Sequence, residues 1–211
     1  MTPFPRFYPI LDTAVLRRRG CTLREAAAAA IEGGARILQL RIKDNPSQKL
    51  LDDACSVSEL CRRYGILWIV NDRADLALLT DAGLHAGQED LPAAAARGLI
   101  GDGPILGLST HNPAQMRAAT LEPVDYTAIG PVFATTSKET PDPAVGLEGI
   151  AQVRMLTNLP LIAIGGITRA SAADVLRAGA DSVAIIGDLY PDTCDAASLR
   201  QRVREWIRIT G

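Results

Sequence analysis

Eight times along this chain a short run of apolar residues gives way to a longer stretch of helical pattern, at roughly 25-residue intervals. The last full repeat shows the pattern most clearly. Leu159–Ile164 is continuously apolar, as a strand buried on both faces should be, and it stops at Gly165-Gly166, where backbone can turn tightly and approach a ligand. Ser171, with Asp174 three residues on, fits a capping box that opens a short helix closing at Ala178-Gly179. Asp181 leads into a second apolar run, Ser182–Ile186, ending at Gly187. A strand, a crossover helix and a strand make the two strands parallel neighbours. The earlier strands read as Arg6–Leu11, Ile37–Ile42, Leu67–Val70, Gly83–Ala86, Ile105–Leu108 and a run within Tyr126–Phe133. Helical patterns follow Thr22, cover Pro46–Tyr64, run through Leu79, span Leu91–Arg97 and Pro113–Ala119, and resume near Leu147. An amphipathic helix over Ala196–Arg208 closes the chain. An open doubly wound sheet competes, but it rarely needs eight evenly spaced units. The pattern predicts one α/β domain over residues 1–211, a (β/α)8 TIM barrel.

Composition narrows the function classes. A net charge of −2 gives no reason to expect nucleic acid or a lipid surface as partner. The opening MTPFPRFYPI lacks a basic region followed by a long apolar one, and no apolar run reaches membrane-spanning length. Cys21, Cys55, Cys61 and Cys194 lack metal-site spacing and read as reduced structural thiols. A cytoplasmic protein acting on small molecules is the expectation, with a homo-oligomer permitted.

In such a barrel the chemistry comes from the C-terminal ends of the strands. Both histidines, His85 and His111, fall there, as do Lys43 and Lys138 from a chain with three lysines against nineteen arginines. On the second strand Gln39, Arg41 and Lys43 alternate with Leu38, Leu40 and Ile42. The apolar set must meet the helices, so the polar set points into the barrel. Two cations buried there need an anionic ligand or internal carboxylates as partners. Asp72 and Asp90 follow neighbouring strands and suit a Mg²⁺ site completed by phosphate oxygens, with helix capping as the competing account. Thr135, Ser137 and Lys138 end the sixth strand and can bind phosphate, although hydroxyls are also ordinary loop residues. The polar segment 134–146 reads as a mobile lid. Gly166, Ile186 and Gly187 sit where paired glycine turns near a helix start suit a second phosphate; as turns alone they would look the same.

Together QLRIK (39–43), NDRADLAL (71–78), GLHAGQEDLP (83–92), GLSTH (107–111), GPVFATTSK (130–138), AIGGI (163–167) and GADSVAII (179–186) resemble the thiamine phosphate synthases over essentially the whole chain. The resemblance implies coupling of an aminopyrimidine methyl diphosphate to a thiazole phosphate, with release of pyrophosphate. It implies that Gln39, Arg41, Lys43 and Asn71 hold the pyrimidine diphosphate, with Ser109 and Lys138 also touching it. Asp72 and Asp90 would bind Mg²⁺, and Thr135, Ser137, Gly166, Ile186 and Gly187 the thiazole phosphate. Arg41, Lys43 and Lys138 would then assist departure of the diphosphate. The chain departs from the family in Thr135-Thr136-Ser137-Lys138, where T-x-T-K is usual, and in Gly187, where Ser is common. The stretch from Asp72 to Asp90 is one residue shorter than usual. Two rivals on a similar barrel are a thiazole phosphate tautomerase, with His111 as acid/base group, and a catalytically silent sensor of phosphate ligands. The sequence leaves the role of His85 open between catalysis and structure.

Overall fold

The computed structural model describes residues 3–42, 45, 47–135, 142–192 and 194–211. Eight parallel strands close into a barrel in chain order: β1 (Phe7–Asp12), β2 (Ile37–Arg41), β3 (Leu67–Asn71), β4 (Gly83–Ala86), β5 (Leu106–Thr110), β6 (Tyr126–Ile129), β7 (Leu161–Ile164) and β8 (Ser182–Ile185). The ring is completed by β8 pairing with β1. Nine α-helices occur among the described residues: α1 (Thr13–Arg19), α2 (Leu23–Gly33), α3 (Gln48–Tyr64), α4 (Ala74–Leu79), α5 (Ala93–Ile100), α6 (Pro113–Ala119), α7 (Gly146–Arg154), α8 (Ala172–Arg177) and α9 (Ala196–Thr210). No helix among the described residues is long and apolar enough to cross a membrane. The four cysteines are unpaired.

Helix ends follow local chemistry. Thr22 and Glu25 form a reciprocal capping box at the start of α2, and Ser47 caps α3, which stops at Gly65 in the left-handed region. Two ends differ from the sequence reading. The helix α1 is additional: Asp12, ending β1, caps it by accepting from Val15 N–H at 3.0 Å. The capping box expected at Ser171 does not form. Its hydroxyl instead accepts from Thr168 N–H at 3.0 Å, so Thr168–Ser171 closes its own turn before α8.

Two apolar layers result. The larger lies between the strands and the helices, where Phe7 stacks on Trp206 of α9 with ring centroids 5.4 Å apart. The smaller fills the barrel and holds Tyr8, Ile10, Ile37, Ile69, Tyr126, Ala128, Ile162 and Ala184. Phe4 packs beneath it against Tyr126, 5.2 Å between centroids. Register sets which inward residues meet. Asp12 lies beside Arg41, Asn71 beside His85, His85 beside Gly107 and Gly107 beside Tyr126. Bare Gly107 lets the Tyr126 ring cross β5 to reach β4: a Cβ at Gly107 would stand 2.1 Å from Tyr126 Cζ.

Candidate active site

The C-terminal ends of the strands enclose a cavity of about 960 Å³, a volume suited to small-molecule ligands. Every described candidate residue lines it: Gln39, Arg41, Asn71, Asp72, Asp90, Ser109, Thr135, Gly166, Ile186 and Gly187. Lys43, Ser137 and Lys138 lie outside the described residues, as does much of the segment read as a lid. The first six candidates come from β2 to β5 and the loops after them, the last four from the loops after β6, β7 and β8. Because strand order is sequential around the ring, the two groups face each other across the mouth.

Arg41 is held from below. Its Nη1 donates to Asp12 Oδ2 at 2.5 Å, while Asp12 Oδ1 caps α1. The Asp12 backbone N–H donates to Tyr190 Oη at 3.2 Å, and that hydroxyl donates to Ile10 O at 3.1 Å. The Asp12 side chain is 3% exposed. An isolated charge so placed would cost several kcal/mol, and pairing with a guanidinium offsets that cost. The internal-carboxylate account of Arg41 is therefore realised, and the same side chain also borders the cavity.

Asp72 and Asp90 are not helix caps. The residue before α4 is Arg73 and that before α5 is Pro92, and neither helix start receives a side-chain cap bond. Asp72 adopts a left-handed conformation (φ 64°) and its N–H donates to His85 O at 2.8 Å. Asp90 Oδ2 accepts from Gly87 N–H at 2.7 Å. Among the described lining residues are the carboxylates of Asp72, Glu89, Asp90, Asp142 and Asp188 and the guanidinium of Arg41, with Asp188 paired to Arg169 at 3.1 Å. A carboxylate close to a diphosphate repels it unless a cation stands between them. Two carboxylates at one cavity mouth fit a hard divalent ion that takes its other ligands from water and phosphate oxygens. No group of three or more potential metal ligands occurs among the described residues.

Below the rim runs a buried polar line. Gln39 Nε2 donates to Tyr8 Oη at 2.9 Å; Tyr8 Oη lies 3.1 Å from Tyr126 Oη. His85 Nδ1 lies 2.9 Å from Tyr126 Oη, and His85 Nε2 lies 2.8 Å from Ser109 Oγ. The imidazole also stacks on the Tyr126 ring, 5.4 Å between centroids. Burial pushes the His85 pKa down to about 4, partly opposed by the charge of Asp90, and pushes both phenols up. His85 is therefore neutral near pH 7 with both ring nitrogens engaged. Sequence reading missed Tyr8 and Tyr126, although Tyr8 shares the inward face of β1 with Ile10 and Asp12 by simple alternation.

On the other side, Gly165 (φ 99°) and Gly166 (φ 65°) let the loop after β7 pass tightly against the loop after β6. A Cβ on Gly166 would stand 2.5 Å from Ala134 O, and Phe133 N–H donates to Gly165 O at 3.0 Å. At Gly187 nothing lies within 4 Å of an added Cβ. His111 Nδ1 donates to Gly130 O at 2.6 Å and stands 3.5 Å from Asp142 Oδ2, which fixes its ring at the cavity wall.

A closed eight-stranded parallel barrel with a ligand-sized polar cavity at its strand C-termini is a (β/α)8-barrel enzyme acting on small molecules. The family model for thiamine monophosphate synthase matches residues 7–189. A thiamine-phosphate synthase from Chloroflexus aurantiacus is 40% identical over 206 residues, covering 97% of this chain and 94% of the relative. Another from Koribacter versatilis is 43% identical over 210 residues, covering 97% and 95%. The solved thiamine phosphate pyrophosphorylase from Pyrococcus furiosus superposes with a TM-score of 0.83 at 30% identity, covering 98% of this chain and 95% of that one. The chain belongs to the thiamine monophosphate synthase family and is a transferase of thiamine biosynthesis.

Proposed function

We propose that this barrel joins an aminopyrimidine methyl diphosphate to a thiazole phosphate by a dissociative substitution, with Mg²⁺ held at Asp72 and Asp90. The observation that carries the reading is the division of one cavity between two groups of candidate residues on opposite sides of its mouth. The half formed by β2 to β5 takes the diphosphate, and Thr135, Gly166, Ile186 and Gly187 take the thiazole phosphate. The bond from the pyrimidine methylene carbon to the diphosphate oxygen breaks first, its electron pair leaving with pyrophosphate. The electron-rich ring stabilises the resulting cation, and the thiazole nitrogen supplies the pair for the new carbon–nitrogen bond. No strong base is required, so alignment and charge neutralisation carry the rate.

Arg41, oriented by Asp12, and Asn71 sit at the rim where the leaving group would lie. Gln39 stands two residues deeper than Arg41 on β2, level with Ile10, which favours the ring end of that substrate over its diphosphate. The chemistry a bound Mg²⁺ supplies here is neutralisation of charge on the departing diphosphate. The parts assigned to Lys43, Ser137 and Lys138 rest on the sequence resemblance. We infer a cytoplasmic location, which four unpaired cysteines suit.

The test is pyrophosphate release with both substrates present, with and without Mg²⁺. Release that needs both substrates and the metal supports the reading, and Asp72→Asn should then lower kcat/KM at least about 100-fold. No release, alongside tight binding of the thiazole phosphate alone, would replace it with the tautomerase or sensor reading.

A further inference from the structure

We propose that Gln39, Tyr8, Tyr126 and His85 form a one-way chain of hydrogen bonds that fixes the Ser109 hydroxyl as a donor to the pyrimidine substrate. Tyr126 and His85 are then positioning residues acting through Ser109. The inference rests on the functional reading above and adds to it which kind of ring atom Ser109 selects.

The direction follows from the first link. An amide N–H can only donate, so the Tyr8 oxygen accepts from Gln39. The Tyr8 hydrogen then goes to the Tyr126 oxygen, 3.1 Å away. The Tyr126 hydrogen goes in turn to His85 Nδ1, 2.9 Å away. A ring nitrogen that accepts is bare, and a neutral imidazole carries its hydrogen on the other nitrogen, here Nε2. That N–H donates to Ser109 Oγ at 2.8 Å. With its oxygen accepting from below, Ser109 turns its own hydrogen towards the cavity it lines. The reverse chain would need Gln39 to accept and would spend the Ser109 hydrogen on His85.

A serine fixed as donor recognises a lone pair. A ring nitrogen of an aminopyrimidine offers one, whereas an oxo analogue carrying N–H at the same place sets two donors against each other. Sites built on such polar matching reject the mismatched analogue strongly.

The first arm of the test uses wild-type protein without substrate, ¹⁵N-labelled at histidine, and reads the tautomer from long-range ¹H–¹⁵N correlations. His85 is expected with its hydrogen on Nε2; a hydrogen on Nδ1 overturns the chain. Tyr126→Phe removes the donor to Nδ1 and Tyr8→Phe removes the link that directs it, so each should produce a mixture of tautomers. An unchanged tautomer in Tyr126→Phe would show that the direction is set elsewhere. The second arm is kinetic. Tyr126→Phe should raise KM for the pyrimidine diphosphate about 5-fold, the loss of one neutral hydrogen bond, with KM for the thiazole phosphate unchanged. Added to Ser109→Ala it should cost nothing further; additive losses would refute action through Ser109. If wild type releases no pyrophosphate, the functional reading fails, and the substrate-free tautomer still decides the direction of the chain.

Discussion

Gly107→Ala places a single methyl group where the Tyr126 ring crosses β5. The added Cβ would lie 2.1 Å from Cζ and 2.5 Å from each Cε, whereas ordinary contact begins near 3.4 Å. The ring must therefore move by at least about 1.3 Å, or β5 must shift by as much. Tyr126 is fully buried, stacked on His85 and wedged against Phe4, so it has little room to yield. A shift of the ring by that amount lengthens at least one of the hydroxyl's bonds, to His85 Nδ1, now 2.9 Å away, or to Tyr8 Oη, now 3.1 Å away. Overpacking costs about 1–3 kcal/mol, and buried polar groups left without partners add about 1–3 kcal/mol. The expected loss is about 3–5 kcal/mol, or a drop in Tm on the order of 10 °C for a domain of this size. Calorimetric melting measures it. In a Tyr126→Ala background the ring is gone, and the same methyl should cost almost nothing. A Gly107→Ala protein melting within about 2 °C of wild type, or losing as much stability with Tyr126 removed, would refute this account of the barrel interior.

Two further outcomes test the site from other directions. His85 has a folded pKa of about 4 against 6.5 for a free histidine, so between those values the unfolded chain binds the extra proton and stability rises with pH. Lowering pH from about 6.5 to about 4 should thus remove about 3 kcal/mol through this group alone, measured by denaturant unfolding without added divalent cation. His85→Gln should flatten that part of the profile, and an unaltered slope would mean that the imidazole is not held neutral by burial. At Gly187 an added side chain meets open space, so Gly187→Ser should melt like wild type. If the thiazole phosphate seats there, the new hydroxyl should lower its KM about 3- to 10-fold, and an unchanged KM would place the phosphate elsewhere.

Strand identity and the inward face of β2 were legible because period-two alternation is a local property: Gln39 and Arg41 could only point away from the helices. The ends of β3, β4 and β5 were legible for the same reason, since the carboxylates and hydroxyls there break apolar runs. What the chain did not disclose is register. That Tyr126 reaches His85 depends on three strands aligning His85, Gly107 and Tyr126 at one level, and on the middle residue having no side chain. Nothing within any one of those strands marks the meeting. Capping misled for a related reason. Ser171 carries the right neighbours for a box, yet its hydroxyl finds Thr168 first. Local rules name the groups able to make a bond, and the tertiary fold decides which partner arrives.

Asp12 shows how that decision joins fold to chemistry. A sequence reading has to choose whether Arg41 serves an internal carboxylate or a ligand. In the barrel one carboxylate removes the choice: Oδ1 holds the start of α1 and Oδ2 holds the guanidinium. The cation is already oriented before any ligand arrives, so a diphosphate entering the mouth need not supply the entropy of ordering a long side chain. Its charge is partly spent on Asp12, however. Arg41 therefore fixes where a diphosphate sits more than it provides the attraction that brings it in. Further attraction at the rim is the part the proposal gives to Mg²⁺ at Asp72 and Asp90 and to Lys43 and Lys138.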